Sequence, residues 1–231
     1  MARLPRLGLA AWPHLVVQRV HDGQQLARDD TDRQALITAM REAARLHGVT
    51  VHAYGVGAEH FVLLLTPGAE DAISLFMQAI GRRYVAAYNA RHARQGGLWA
   101  SRYRATVLDP ARFLLDAMVF VETDGLRSGR VQRVEDDLWS SARHHLGLCT
   151  DALIGDHALF WALGNTPFER DLAWRRRLEE GISAKLCEDM AQAVHKGWAL
   201  MAPEVAHGLE ASAGRRLTPR PRGRPRKSLD S

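Results

Sequence analysis

The sequence contains little cysteine, with only Cys149 and Cys187 among its 231 residues. Two cysteines are too few for a disulfide framework, so we expect a protein of the reducing cytoplasm rather than a disulfide-stapled secreted one. Long apolar runs are also missing, because no stretch approaches the roughly 20 apolar residues that a membrane-spanning helix needs. The apolar stretch near the N-terminus is too short and broken for a signal peptide. These absences argue against membrane and secreted classes.

Charge is present in moderate amount but is unevenly distributed. The chain is 46% hydrophobic and 25% charged, enough for one well-packed domain and a smaller appendage. Its formal net charge is +5, yet residues 214–231 contain seven basic side chains against one acidic side chain, Asp230. The rest of the chain is therefore close to neutral. Such an asymmetry indicates a polyanionic partner for the C-terminal segment.

Apolar and β-branched stretches predict strands at residues 14–20, 49–54, 61–66 and 103–108. Helical periodicity predicts a helix that begins at the N-cap group Asp30, Thr31 and Asp32 and ends at Gly48. Further helices are predicted at 71–92 and 111–122. The order β-α-β-β-α-β-α lacks the alternation of a parallel nucleotide-binding sheet. It favours an α+β fold with a ferredoxin-like antiparallel sheet and helices packed on one face.

Strand patterns stop after Trp139-Ser140-Ser141. Short helical patterns follow, including charged and apolar-periodic stretches near 171–180 and 182–200. The last residues are rich in arginine and proline and have no apolar periodicity, so we expect them to be disordered when free. The predicted organisation is a folded domain at 1–148, a small helical region at 149–213 and a basic tail at 214–231.

The strand around residue 60 contains one histidine, whereas a metal-binding strand of the His-x-His kind needs two. Residues 59–65 read E-H-F-V-L-L-L. Side chains two apart on a strand face the same way, so a His-x-His pair can direct two imidazoles at one divalent metal. Here His60 has Val62 as its same-face neighbour. An ordinary strand-end histidine is the alternative interpretation of His60.

Several motifs, taken in order, resemble the REP-associated tyrosine transposases, a branch of the HUH single-strand transposases. The resemblance covers almost the whole chain, and 1–148 corresponds to the HUH-type domain. The matching segments are H-L-V-V-Q-R at 14–19, V-H-A-Y at 51–54, E-H-F-V-L-L-L at 59–65, L-W-A-S-R-Y-R at 98–104, R-F-L-L-D-A-M-V-F-V-E-T-D-G-L-R-S-G at 112–129, L-W-S-S at 138–141 and G-R-R-L-T-P-R-P-R-G-R-P-R-K at 214–227.

The resemblance implies a catalytic centre from which this chain departs. In the family, a tyrosine oxygen attacks a DNA phosphodiester to form a 5′-phosphotyrosine. Two histidines and a polar residue one turn beyond the tyrosine hold a divalent metal that polarises the phosphate. Here Val62 replaces the second histidine and Phe120 occupies the tyrosine position. His60 and Asp124 are then the remains of a metal site, and Asp124-Gly125 stands where the family has Asn-Pro.

Another tyrosine could in principle replace the missing nucleophile. Tyr54, Tyr84, Tyr88 and Tyr103 are the available ones, and core or helix-surface packing is the more ordinary role for each. The resemblance also implies DNA contacts for four arginines of the folded domain, with a solvated or salt-bridged side chain as the alternative. These arginines are Arg19, Arg102, Arg104 and Arg127.

The basic tail carries its own binding signal. Its core, Arg222-Gly223-Arg224-Pro225, is similar to the AT-hook, in which an extended backbone lies in the narrow minor groove of A·T-rich DNA. A generic basic tail that binds any polyanion is the alternative. The predicted DNA-binding residues of this segment are Arg215, Arg216, Arg220, Arg222, Gly223, Arg224, Pro225, Arg226 and Lys227.

Three functional hypotheses follow from these observations. The first is a DNA-binding protein that recognises hairpin or single-stranded DNA without cleaving it and needs no cofactor. The second is an active transposase or single-strand nuclease that uses Mg²⁺ or Mn²⁺ and a different nucleophile, for example water. The third is a regulator or scaffold whose partner is RNA or another protein. We expect a monomer or homodimer in the cytoplasm, where DNA binding would associate it with the nucleoid.

Overall fold

The computed structural model describes residues 8–219. Its centre is a four-stranded antiparallel sheet in the order β2-β3-β1-β4. The predicted α+β class and the order of strands and helices through 1–122 are confirmed. The strands are β1 (His14–Arg19), β2 (Val49–Val56), β3 (His60–Pro67) and β4 (Arg104–Val107).

Three helices, α1, α2 and α3, alternate with the strands of the sheet, and further helices follow them. α1 (Asp30–His47) begins at the N-cap Asp29, one residue before the predicted capping group, because the Asp29 side chain accepts a hydrogen bond from the Asp32 backbone N–H. It ends at Gly48, whose φ of 61° is left-handed and suits glycine. The remaining helices are α2 (Ala72–Arg91), α3 (Pro110–Glu122), α4 (Asp124–Arg127), a 3₁₀ turn (Val134–Asp136), α5 (Ala142–His145), α6 (Ala158–Trp161), α7 (Pro167–Glu180), α8 (Ala184–Lys196) and α9 (Pro203–Ala213).

Helices cover both faces of the sheet, so the prediction that they pack on one face was wrong. Leu63 and Leu65 pack with α1 and α2, whereas Val62 and Leu64 pack with α3, α7 and α8. Consecutive residues of a strand point to opposite faces, so an uninterrupted apolar strand has two faces to bury. The continuous F-V-L-L-L of β3 is such a strand.

The helical region after residue 149 is joined to the sheet through shared packing. The Leu200 backbone N–H donates to Val107, and the Ala199 backbone N–H donates to Leu217. Leu217 is fully buried in a cluster that also contains Leu9 and Val107. The first residues assigned to the basic tail therefore pack against the fold, while 220–231 lie outside the described residues. Within residues 8–219, no helix combines the length and the apolar character needed to cross a membrane.

Candidate functional site

A cleft of about 850 Å³ lies on the sheet face covered by α3 and α8. Its lining residues include every site residue that the sequence predicts for 1–148, although these positions span more than one hundred residues of the chain. They are Arg19, His60, Val62, Arg102, Arg104, Phe120, Asp124 and Arg127.

The pairing of the strands explains why the sheet residues converge. Arg19 lies opposite His60 across the β1–β3 pair, and Val17 lies opposite Val62. Val17 also faces Arg104 of β4. Because residues two apart on a strand share a face, these side chains all project toward α3 and α8.

Gly55 on β2 lets the C-terminal end of α3 approach the sheet. A Cβ atom at Gly55 would lie only 2.9 Å from the Val121 carbonyl oxygen and 3.5 Å from the Asp124 Cβ. Any side chain at this position would therefore displace the backbone that carries Asp124. Glycine at 55 is what places Asp124 beside the strand of His60.

His60 and Asp124 meet directly in the cleft. The His60 Nε2 atom lies 3.1 Å from Asp124 Oδ1, and both side chains are largely buried. Burial raises the pKa of Asp124, but the hydrogen bond from His60 and the charges of His60, Arg127 and Arg130 hold it below its ordinary value. Asp124 is therefore a carboxylate, and its second oxygen, Oδ2, is buried without a hydrogen-bond partner among the described residues.

Phe120 lies in the same cleft and holds a guanidinium group against its ring. The Arg127 Cζ atom is 4.2 Å from the centre of the Phe120 ring. Arg127 also donates to the Thr123 hydroxyl, and its Nη2 atom lies 3.6 Å from Asp124 Oδ1. The Phe120 ring, the Thr123 hydroxyl and the Asp124 carboxylate thus surround the Arg127 guanidinium. Phe120 offers no oxygen for a covalent intermediate.

The other three predicted arginines border the cleft from β1, β4 and the segment between α2 and β4. Arg19 and Arg102 are exposed. The Gln18 side chain holds the segment of Arg102 by donating to the Ser101 carbonyl at 2.9 Å. Arg104 donates to the His195 carbonyl at 2.6 Å, which ties β4 to the end of α8. Basic side chains therefore surround the mouth of the cleft.

One wall of the cleft comes from α8, which sequence reasoning did not place there. Cys187, Glu188, Ala191, Val194 and His195 line it from a single helical face. The apolar periodicity of 182–200 predicted a helix, but no local pattern told which surface that helix would cover. The carbonyl groups at its C-terminal end accept hydrogen bonds from distant parts of the chain, namely from Arg104, Arg215 and Thr106.

The residues of the cleft do not fit the divalent metal that the resemblance implies. A stable site needs several oxygen or nitrogen ligands. Here His60 and Asp124 supply two, the isopropyl group of Val62 takes the third position, and the Arg127 cation stands 3.6 Å from Asp124 Oδ1. Within residues 8–219, the one group of three clustered ligand-type side chains lies elsewhere, at His144, His145 and Asp156.

A buried charged network lies behind the cleft, on the other side of the α3 terminus. Glu122 accepts hydrogen bonds from Ser141 Oγ at 2.6 Å, from Trp174 Nε1 at 2.9 Å and from the imidazole of His145. His145 Nε2 lies 3.3 Å from Asp156. Burial acts to lower the pKa of His145, but the negative charges of Glu122 and Asp156 outweigh it and raise the pKa to about 9.

The four tyrosines are engaged elsewhere, and none of them lines the cleft. Tyr54 donates to Asp151, while Tyr84 and Tyr88 donate to the Leu26 and Gln25 carbonyls. Tyr103 shares a hydrogen bond with Ser74. Burial raises the pKa of Tyr54 and of Tyr84, which makes their phenolate forms less accessible. Each hydroxyl has a structural role.

Of the predicted tail residues, the structure describes only the first two basic ones. Arg215 is half-buried and donates to the Gly197 carbonyl, and burial lowers its pKa. Arg216 is exposed. DNA binding by both stays a prediction. The remaining predicted residues lie outside the described part of the chain: Arg220, Arg222, Gly223, Arg224, Pro225, Arg226 and Lys227.

Comparison with solved structures places this architecture among known folds. The structure of a REP-associated tyrosine transposase bound to a REP hairpin matches with a TM-score of 0.55 and 17% sequence identity, over 68% of this chain and 93% of that one. The two proteins share a fold. The REP-associated transposase structure thus supports the expected architecture.

Two further solved structures are similar over part of the chain. A predicted transposase from Deinococcus radiodurans R1 has a TM-score of 0.37 and 18% identity, over 59% of this chain and 98% of that one. A bacterial tRNA(His) guanylyltransferase-like protein in complex with GTP has a TM-score of 0.37 and 12% identity, over 59% and 73%. Comparison of the sequence with models of protein families and with curated proteins found no match.

Proposed function

We propose that this chain is a DNA-binding protein of the REP-associated transposase type that recognises hairpin or single-stranded DNA and does not cleave it. One observation carries the proposal: Phe120 lies beside His60 and Asp124 in the cleft, in the position that the resemblance assigns to the nucleophilic tyrosine. A phenyl ring packs there but cannot form a phosphotyrosine.

The charge of the cleft supports a nucleic-acid ligand. Four arginines line it against two carboxylates, Asp124 and Glu188. Guanidinium groups donate several hydrogen bonds to phosphate oxygens, and an aromatic ring in a basic groove is typical of single-strand binding. The solved structure with the same fold holds a REP hairpin, which makes a hairpin the first ligand to test.

Fluorescence anisotropy with the full chain tests the binding. A DNA hairpin with single-stranded flanks is compared with a linear duplex and with an RNA hairpin of the same sequence. We expect the DNA hairpin to bind at least about 10-fold more tightly than either control. Preference for the RNA hairpin would instead favour the regulator or scaffold hypothesis.

A charge-matched pair of variants tests whether the cleft is the binding surface. Arg19→Ala combined with Arg102→Ala should weaken hairpin binding by about 10-fold or more, since each contact to phosphate contributes to the affinity. Arg45→Ala combined with Arg82→Ala removes the same charge from exposed positions on α1 and α2, beyond the opposite face of the sheet. Equal losses in the two variants would place binding outside the cleft.

The unpartnered Asp124 Oδ2 atom favours one second candidate, a metal-dependent nuclease that uses water as nucleophile. This candidate predicts cleavage of the hairpin strand in Mg²⁺ or Mn²⁺ that His60→Ala abolishes. Our proposal predicts an intact strand in both metals while binding is retained. Denaturing gel electrophoresis of end-labelled DNA distinguishes the two.

A further inference from the structure

Arg127 has an environment that differs from that of an ordinary surface arginine. It belongs to the short helix α4, three residues after Asp124, and only 30% of its side chain is exposed. Thr123 accepts a hydrogen bond from Nη1, and the Arg127 Cζ atom lies over the Phe120 ring, 4.2 Å from its centre. The group is thus fixed in position before any ligand arrives.

The position of Arg127 matters because its positive charge lies close to Asp124, one of the two groups that the resemblance assigns to a metal. Its Nη2 atom lies 3.6 Å from Asp124 Oδ1, the oxygen that also contacts His60 at 3.1 Å. A divalent cation at Asp124 would have to approach this fixed guanidinium, and Val62 offers it no ligand. The Arg127 side chain itself supplies the positive charge that the site needs to hold a phosphate.

Arg127 also retains hydrogen-bonding capacity. A guanidinium carries five N–H donors, and the described contacts of Arg127 use one of them, toward Thr123. The separation from Asp124 is longer than a hydrogen bond. Because Arg127 lines the cleft together with Arg19, Arg102 and Arg104, its remaining donors are within reach of a ligand there.

We propose that Arg127 replaces the divalent cation and makes the cleft a metal-independent binding site for a phosphate group of the DNA backbone. The Phe120 ring then has a role of its own, as the platform that holds the guanidinium flat. This inference rests on the proposed DNA-binding function and adds the group that is recognised. It also accounts for a site that has lost its nucleophile yet remains polar and open.

The first test compares hairpin binding by the full chain in EDTA, in Mg²⁺ and in Mn²⁺ at constant ionic strength. We expect the three dissociation constants to agree within 2-fold. Metal-dependent tightening of 5-fold or more that His60→Ala removes would overturn the proposal, because it would show that His60 and Asp124 still hold a cation.

The second test uses Arg127→Gln, which removes the charge but can still donate to Thr123, with Arg82→Gln as a control of equal charge. Arg82 is exposed on α2, on the other side of the sheet. We expect Arg127→Gln to weaken hairpin binding about 10-fold and Arg82→Gln less than 2-fold. Arg127→Lys keeps the charge but loses the planar fork of donors, so it should weaken binding less than Arg127→Gln does.

A phosphate-by-phosphate scan identifies the contact without relying on the fold of a variant. Hairpins that carry one neutral methylphosphonate each are bound to wild-type protein and to Arg127→Gln. At the phosphate that Arg127 holds, the neutral substitution should weaken wild-type binding about 10-fold and leave Arg127→Gln unchanged. Additive losses at every position would overturn the inference while leaving DNA binding by the cleft intact.

A final arm separates failure of this inference from failure of the proposed function. If the wild-type chain binds no hairpin, the DNA-binding proposal fails. The phosphate site is then judged by thermal unfolding with a 5′-phosphorylated dithymidine dinucleotide in EDTA. A rise in Tm that Arg127→Gln abolishes supports the site, and an unchanged Tm overturns it as well.

Discussion

A carboxylate and a histidine lie on each side of the C-terminal end of α3, but the two carboxylates differ in their hydrogen bonding. In the buried network behind the helix, Glu122 has partners for both of its oxygens and His145 is enclosed between two carboxylates. In the cleft, Asp124 has one oxygen without a hydrogen-bond partner among residues 8–219, and the neighbouring strand position is the apolar Val62. Both oxygens of the Glu122 carboxylate are thus used in joining α3 to α5 and α7, whereas the Asp124 carboxylate in the cleft has an oxygen to spare for a ligand.

The largest effect on stability should come from Glu122→Ala. This change removes the acceptor for His145, Ser141 and Trp174, and it leaves a buried imidazolium beside a single carboxylate. Breaking a buried charge pair in this way costs about 3–5 kcal/mol. Urea denaturation at pH 7 measures the loss, and Glu122→Gln should lose roughly half as much because it keeps one acceptor.

The matched change in the cleft is Asp124→Ala, which should cost only about 1–2 kcal/mol because it removes one hydrogen bond to a charged group. The free energies of unfolding of the two alanine variants are compared under identical conditions. An equal or larger loss for Asp124→Ala would show that the cleft contributes as much to the fold as the buried network does.

The pH dependence of stability should show the buried network directly. The pKa of His145 is raised to about 9 in the folded chain, above its ordinary value of 6.5. Its stabilisation is therefore fully present below pH 6.5 and is lost as the pH rises toward 9, by at most about 3 kcal/mol. Denaturation between pH 6.5 and 9 measures the slope, and His145→Gln should flatten it. A wild-type curve without a slope in this window would contradict the assignment.

The acidic side of the same curve has a different origin. Burial lowers the pKa of His14 and of His52 to about 4. The unfolded chain then binds protons at these sites before the folded chain does, so stability falls as the pH drops from 6.5 toward 4. His52→Gln should reduce this fall without changing the alkaline slope. If it changes both slopes, the two groups are coupled.

A smaller effect on the fold, and a gain of activity, should follow from Val62→His combined with Phe120→Tyr. Both positions line the cleft, so we expect the free energy of unfolding to change by no more than about 1–2 kcal/mol. If these two positions alone prevent cleavage, the double variant should form, with Mn²⁺ and a hairpin substrate, a protein–DNA adduct that survives denaturation in detergent. Absence of the adduct would agree with exclusion of the metal by Arg127. Each single variant should stay inactive. Adduct formation by Phe120→Tyr alone would show that His60 and Asp124 suffice for metal binding.

The smallest effect on the fold should come from deletion of 220–231. Folding stability should not change, because the deletion keeps Arg215 and its contact with Gly197. Hairpin affinity, in contrast, should become less sensitive to salt. If the five basic residues of this segment neutralise about five phosphates, the slope of log K against log salt should flatten by about four units. An unchanged slope would remove the tail from the DNA-binding surface.

The sequence predicted the residues of the cleft better than the walls that enclose them. His60, Phe120 and Asp124 could be placed because the spacing of the resemblance carries from one motif to the next. The packing of α8 over the cleft could not be predicted, since helical periodicity identifies an apolar face but not its partner. Helices on both faces of the sheet were missed for a related reason, although the unbroken apolar run of β3 contained that signal.

The buried network was the other feature that sequence reasoning missed. Glu122, His145 and Trp174 are separated by up to 52 residues along the chain, and no period or motif connects them. The structural role of a buried carboxylate such as Glu122 becomes clear only from the fold, which shows the hydrogen-bond donors around it. The same limit applies to Arg127, whose basic character was noted but whose position over Phe120 depends on the turn between α3 and α4.

Gly55 has a consequence for recognising related chains. A side chain at Gly55 would collide with the backbone of α3, whichever groups line the cleft. A sequence pattern based on the catalytic groups of the family would miss chains that lack those groups. A pattern based on Gly55 and the residues around Glu122 should find such chains. The absence of a side chain at position 55 is a requirement of the fold and does not depend on the chemistry of the cleft.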